Sequence, residues 1–251
     1  MSKTILITGA ASGIGEAAVR LFSDKGWKII GIDVSEEGLK KVKERCAEAF
    51  VCDVSEKKEV EAVAENLKSQ GIVLDALFNC AGILRMGLFY QLDVDSQLKI
   101  VDVNLKGIVN CTHLFFPLMK ENSAIVNMSS LSSLYGTPEL AVYSATKSAV
   151  KTLTEALNIE FEPKGIYVCD IIVDYVKTPM VLDAEYKATS VRRLGVTVSP
   201  EKVAKKVFSA VNSGRRVHHY VGIKAKLITF SAKLFPFASK LFAKILAFKK
   251  R

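Results

Sequence analysis

The chain has 251 residues, 49% of them hydrophobic, enough to bury the core of one large domain. Five cysteines, Cys46, Cys52, Cys80, Cys111 and Cys169, are odd in number and show no C-x-x-C spacing. This argues against a disulfide framework or a zinc site and points to a reducing, cytoplasmic setting. The net charge of +9 is uneven: residues 1–201 carry 22 basic and 26 acidic groups, net −4, whereas the last fifty carry 13 basic groups and no acidic one.

In chain order, "TILITG" follows Met1 closely, has no small-residue cleavage site behind a long apolar stretch, and predicts a strand rather than a signal peptide. "WKIIGID", "AFVCDV", "LDALFNCAG", "SAIVNMSS", "GIYVCDIIV" and "VHHYVG" are further strand candidates. Between them, "GEAAVRLFSDKG", "EKKEVEAVAENLKSQG" and "ATKSAVKTLTEALNIEFEPKG" repeat apolar residues every three or four positions and end in glycine, as helices do. Strand and helix in alternation imply right-handed crossovers and a parallel sheet covered on both faces. The predicted fold is α/β: a Rossmann-like, doubly wound parallel sheet of about seven strands. No linker or repeat interrupts residues 1–222, so one catalytic domain is expected there, with 223–251 as a separate basic tail.

The turn Thr8-Gly9-Ala10-Ala11-Ser12-Gly13-Ile14-Gly15 joins the first strand to the first helix. Its glycines permit positive φ and let bare backbone approach a pyrophosphate, which the free N–H groups of a helix N-terminus stabilise. Asp33 ends the second strand about 20 residues on, where a carboxylate accepts hydrogen bonds from an adenosine ribose. A 2′-phosphate there would meet like charge, with no Lys or Arg in the turn or just after Asp33 to offset it, so NAD(H) is favoured over NADP(H).

Tyr143 and Lys147 lie four apart on a predicted helix, hence on one face a single turn apart. A cation beside a phenol favours the phenolate, so Lys147 is expected to pull the Tyr143 pKa down from about 10. Together with T-G-x-x-x-G-x-G, Asp53-Val54, Asn79-Cys80-Ala81-Gly82, Asn104 in "VNLKG" and Ser130 thirteen residues before Tyr143, this pattern resembles the short-chain dehydrogenase/reductase family over residues 1–222. The resemblance implies an NAD-dependent oxidoreductase acting on a secondary alcohol or ketone. Tyr143 is its acid/base, Ser130 orients substrate, Lys147 tunes Tyr143 and grips the nicotinamide ribose, and Asn104 holds a water in a proton relay. It further implies that Gly9, Ala11, Ser12, Gly13, Ile14 and Gly15 form the cofactor turn and that Asp53 and Val54 meet the adenine. Asn79, Ala81 and Gly82 would line the ribose side, and Val176 and Thr178 would stand by the nicotinamide. Two departures stand out: Cys80 replaces a frequent Asn, and Val173-Asp174 replaces the family's usual Pro-Gly.

Ser129, Ser132 and Ser133 read as structural, and Tyr135 as a substrate contact. His113, His218 and His219 offer no metal geometry, and no metal is expected. Residues 181–200 form a short substrate loop; with Leu131, Leu134, Leu140, Tyr175 and Met180 nearby in sequence, a small lipophilic alcohol or ketone is expected. In the tail, Lys226, Lys233, Lys240, Lys244 and Arg251 align on one helical face beside Leu227, Phe230, Leu234, Leu241, Ile245 and Phe248, with a kink at Pro236. Two readings stand equally: peripheral contact of 224–251 with an anionic membrane, or packing of its apolar face on the enzyme or a second subunit as a roof over the pocket. Nucleic acid is not an expected partner; a homodimer or homotetramer is. The competing functional reading is a non-catalytic NAD(H)-binding protein whose tail docks on a membrane or a partner protein.

Overall fold

The computed structural model describes residues 2–234 and Lys244. In chain order the elements are β1 (Thr4–Thr8), α1 (Gly13–Asp24), β2 (Lys28–Asp33), α2 (Glu36–Val42), β3 (Glu48–Val51), α3 (Lys57–Ser69) and β4 (Leu74–Asn79). There follow α4 (Val94–Val101), α5 (Gly107–Phe115), β5 (Met119–Met128), α6 (Ala141–Glu160), β6 (Tyr167–Ile172), α7 (Pro179–Leu182), α8 (Thr189–Leu194), α9 (Pro200–Ser213), β7 (His218–Tyr220) and α10 (Ile223–Leu234). All seven strands pair in parallel, in the order β3-β2-β1-β4-β5-β6-β7. The order reverses between β1 and β4, and that reversal opens a crevice beyond the strand ends.

Alternation along β1 explains the two layers. Ile5 and Ile7 face one cluster, with Val19 and Phe22 of α1 and Val203 and Val207 of α9; Leu6 faces the other, with Leu67 of α3 and Phe115 of α5. Because both faces are covered, β1 is buried throughout and reads as an unbroken apolar run. Phe22 anchors its layer edge-on to Trp27 and Phe208, each ring centroid 5.1 Å away. Serine caps start the helices where the alternation requires them: Ser35 Oγ accepts from Gly38 N at 3.0 Å to open α2.

A row of polar side chains crosses the sheet from β4 to β7. Asn79, Asn127, Asp170 and His218 stand in register on β4, β5, β6 and β7. Asn79 Nδ2 donates to Asn127 Oδ1 (2.8 Å) and to Thr112 Oγ1 (3.1 Å), and Asn127 Nδ2 donates to Thr154 Oγ1 (2.9 Å). His218 bridges Asp170 (3.0 Å) and Glu155 (2.9 Å), and the Asp170 carboxylate holds its pKa above the usual histidine value. Asn79, expected at the cofactor ribose, is 1% exposed; its Nδ2 ties β4 to β5 and α5, while its Oδ1 has no hydrogen-bond partner among the described residues.

Between α4 and α5 the helix widens into a π-turn over Asp102–Lys106, the segment that carries Asn104. At the other end of the chain, α10 packs inward through Ala225, Ile228 and Thr229, the first two against Leu131 and Ile172. Four further apolar residues face out: Ile223, Leu227, Phe230 and Leu234 are 77%, 60%, 62% and 53% exposed. The tail's expected kink at Pro236 and its alignment of Lys240, Leu241, Ile245, Phe248 and Arg251 lie outside the described residues. Among the described residues no helix is long and apolar enough to cross a membrane.

Candidate active site

A groove of about 560 Å³ opens at the reversal point, lined by the glycine turn, Asp33, Asp53, Val54, Ala81, Gly82 and Thr178. Gly9 and Gly13 have φ of +69° and +53°, and a Cβ on Gly9 would come within 2.9 Å of the Ala81 backbone, so bare backbone shapes the floor. Ser12 is the N-cap of α1 yet makes no side-chain capping bond, which leaves its hydroxyl uncapped where it lines the groove at the start of α1. Asp33 Oδ2 accepts from Ala11 N at 3.0 Å and Oδ1 from Ser35 N at 2.9 Å, which fixes the carboxylate at the groove end. Ala11 is 6% exposed and contributes through that bond, not through the groove wall.

Three groove features were not read from the sequence. Lys99, from α4, donates to Asp53 Oδ2 at 2.9 Å and to Ser55 Oγ at 3.0 Å; the resulting ion pair and the Ser55 bonds hold the Asp53 carboxyl below the usual range, against the opposing effect of its burial. Arg85 lines the groove as well. Thr8 Oγ1 accepts from Cys80 N and Ala81 N, both at 3.0 Å, and so pins the end of β4 to the end of β1. A threonine ending an apolar strand is the one local signal that pointed to this last contact.

Beside the groove, sharing Ile14, Gly82 and Thr178 with it, lies a smaller cavity of about 100 Å³. Ser130, Tyr135, Tyr143, Lys147 and Val176 line it, so residues from β5, α6 and the segment after β6 meet there. Ser130 Oγ accepts from Ser132 N (3.2 Å) and Ser132 Oγ (3.0 Å), which occupies its lone pairs and leaves its own proton to donate into the cavity. Ser132, read as a turn residue, thus also orients Ser130. Lys147 is 5% exposed; its Nζ donates to Met128 O at 2.9 Å and lies 5.6 Å from the Tyr143 ring centroid.

The expected lowering of the Tyr143 pKa is not what the structure shows. Burial pushes the phenol up to about 12, Ser130 only partly opposing it, and burial brings Lys147 down to about 8. The Lys147 ammonium is directed at a backbone carbonyl, so desolvation of the phenol prevails. Asn104 is nearby, with Oδ1 accepting from Ile83 N (2.8 Å) and Nδ2 donating to Ile83 O (2.9 Å). Its side chain clamps the segment that leads out of β4, beside Gly82, where a Cβ would lie 3.1 Å from Asn104 Oδ1.

The family model described as short chain dehydrogenase matches residues 3–188. The chain is a short-chain dehydrogenase. It is 33% identical over 215 residues to the 3-oxoacyl-(acyl-carrier-protein) reductase FabG of Thermotoga maritima, covering 81% of this chain and 87% of that one. It is 35% identical over 217 residues to the oxidoreductase UcpA of Escherichia coli K12, covering 83% and 80%. Among solved structures, a 3-ketoacyl-(acyl-carrier-protein) reductase from Brucella melitensis complexed with NADH superposes with a TM-score of 0.79 at 29% identity, over 87% of this chain and 96% of that one. A short-chain dehydrogenase from Burkholderia phymatum in complex with NAD gives 0.81 at 26% identity, over 96% and 95%. As a short-chain dehydrogenase the chain is an oxidoreductase acting on CH–OH groups.

This short-chain dehydrogenase closes its cavity with the segment expected to be the substrate loop. Helices α7 and α8 supply Met180, Val181, Ser190 and Leu194 to the wall. Glu139, at φ +67°, holds that segment in place by accepting from Thr189 N at 2.6 Å and from the Tyr186 hydroxyl.

Proposed function

We propose that this chain interconverts a lipophilic secondary alcohol and its ketone with NAD(H), Tyr143 serving as the acid/base. The observation that carries this reading is the convergence of Ser130, Tyr143 and Lys147 on one apolar cavity that opens beside the glycine-turn groove. When bound, the nicotinamide supplies or receives the hydride. In the reductive direction a phenol held near pKa 12 is fully protonated at neutral pH and donates its proton to the carbonyl oxygen. The Ser130 proton polarises the same oxygen, and Lys147 supplies positive charge beneath the phenol. Leu84, Leu131, Leu140 and Val181 in the cavity wall support a lipophilic substrate. Assaying NADH oxidation over a panel of medium-chain ketones tests the assignment: turnover of at least one is expected, and none over the whole panel would remove it.

Preference for NAD(H) rests on Asp33, whose carboxylate is locked at the groove end by two backbone N–H groups. A 2′-phosphate placed there meets like charge. Fluorescence titration should show NADH bound about tenfold or more tighter than NADPH, with the ratio narrowing in Asp33→Ser. Equal affinities in the unaltered protein would reverse the preference.

The exposed stripe Ile223, Leu227, Phe230 and Leu234 on α10, in a stretch with basic but no acidic residues after Glu201, supports peripheral contact with an anionic membrane by a cytoplasmic enzyme. Replacing Leu227 and Phe230 together by Glu should lower co-sedimentation with phosphatidylserine-containing vesicles about tenfold or more. Unchanged binding would assign the stripe to a protein partner instead.

A further inference from the structure

The substrate cavity is largely apolar; its polar lining consists of phenols, serine and threonine hydroxyls, Lys147 and one carboxylate. That carboxylate is Asp174, two residues past the end of β6, where the chain departs from the family's usual Pro-Gly. Asp174 is 9% exposed. Its Oδ1 accepts from Tyr175 N at 2.8 Å, and among the described residues its buried Oδ2 has no hydrogen-bond partner. A buried carboxylate oxygen with no donor carries a desolvation cost that native structures seldom leave uncompensated. The Tyr175 hydroxyl does not relieve it, because that hydroxyl is paired with Ser190 Oγ at 2.7 Å.

We infer that Asp174 Oδ2 is the acceptor for a hydroxyl group on the substrate, so that the preferred substrate is an apolar ketone or alcohol bearing a second hydroxyl away from the reacting carbon. The inference rests on the proposed ketone chemistry and narrows its substrate class. A neutral donor is favoured over an ammonium because Lys224, on α10, already bears positive charge close enough to act on this carboxyl. The Lys224 ammonium is itself tethered by a bond to Leu194 O at 3.4 Å, at the cavity wall. A cation carried into the enclosed cavity would be desolvated, and the exposed Lys224 ammonium outside it would oppose it further. Asp174 is in this reading a specificity residue: it touches substrate at a point away from the hydride transfer and leaves the acid/base step to Tyr143.

The test uses octan-2-one and a series of its monohydroxy derivatives, with the hydroxyl moved one carbon at a time along the chain. An amino analogue of the best of them completes the set. Two readouts are taken on the full chain: kcat/KM with NADH, and calorimetric affinity for the NADH-loaded protein. One hydroxy isomer should exceed octan-2-one about tenfold or more in both, and the amino analogue should not. In Asp174→Leu that ratio should collapse toward one, whatever happens to the absolute rate, while Asp174→Asn, which keeps an acceptor oxygen, retains part of it. If the leucine variant does not fold, the asparagine variant and the unaltered protein's own ratio still decide. Turnover of ketones with no preference for any hydroxy isomer overturns the inference and spares the ketone chemistry; a binding preference without turnover does the reverse. Preference for the amino analogue would also overturn it.

Discussion

Tyr143→Phe is expected to cut ketone reduction about 10²–10⁴-fold while leaving NADH affinity within about twofold, because the lost hydroxyl is the proton donor and the ring keeps its packing. Single-turnover kinetics and cofactor titration on the same preparation check both halves. A variant that reduces ketones at the original rate would take the acid role from Tyr143 and leave Ser130, whose proton also faces the cavity, as the donor to examine. The pH dependence follows from the same environment. Tyr143, pushed up to about 12, stays protonated across the working range, so it is not the group that limits reduction near neutrality. Lys147, brought down to about 8, is cationic below that value and neutral above it. If its charge stabilises the tyrosinate left after proton transfer, the reduction rate falls as pH rises through about 8, and Lys147→Met is slow throughout and flat across that range. A rate that instead climbs through this range would show that the neutral amine is the working form.

The second large effect is at the cofactor turn. A Cβ on Gly15 would strike the Gly9 carbonyl, with its carbon 2.6 Å away and Ala10 Cα at 3.2 Å. These are backbone atoms of the turn itself, so nothing flexible can move aside. Gly15→Ala should therefore displace the turn, weaken NADH binding about 100-fold or more, and lower unfolding stability by about 1–3 kcal/mol. Gly136 is the matched control: a Cβ there meets nothing within 4 Å and its φ is not positive, so Gly136→Ala should leave stability unchanged or raise it by about 0.4–1 kcal/mol. Denaturant melts and NADH titrations of the pair measure the contrast. Equal behaviour of the two variants would mean that the turn tolerates displacement and that the close approach at Gly15 carries no function.

What the sequence determined by itself is whatever depends on local periodicity and spacing. Alternation of β-branched runs with three-and-four helical patterns sets the parallel sheet and its covered faces, since each strand must bury both sides and each helix one. The glycine spacing from Gly9 to Gly15 and the four-residue interval from Tyr143 to Lys147 likewise carry their geometry within one turn of chain. What only the tertiary structure decided depends on neighbours distant in sequence. Asn79 is a buried tie because Asn127 and Thr112 come to meet it, and Lys99 reaches Asp53 across 46 positions. The sign of the Tyr143 shift also belongs here: spacing brings Lys147 near, but the surrounding core determines how much water the phenol loses, and Met128 O takes the ammonium. The same holds for Asp174, unusual in its segment by sequence, whose Oδ2 is buried and without a partner among the described residues. Hydrophobic period and turn chemistry are written along the chain; burial, and with it charge state and hydrogen-bond satisfaction, arises only when the layers pack.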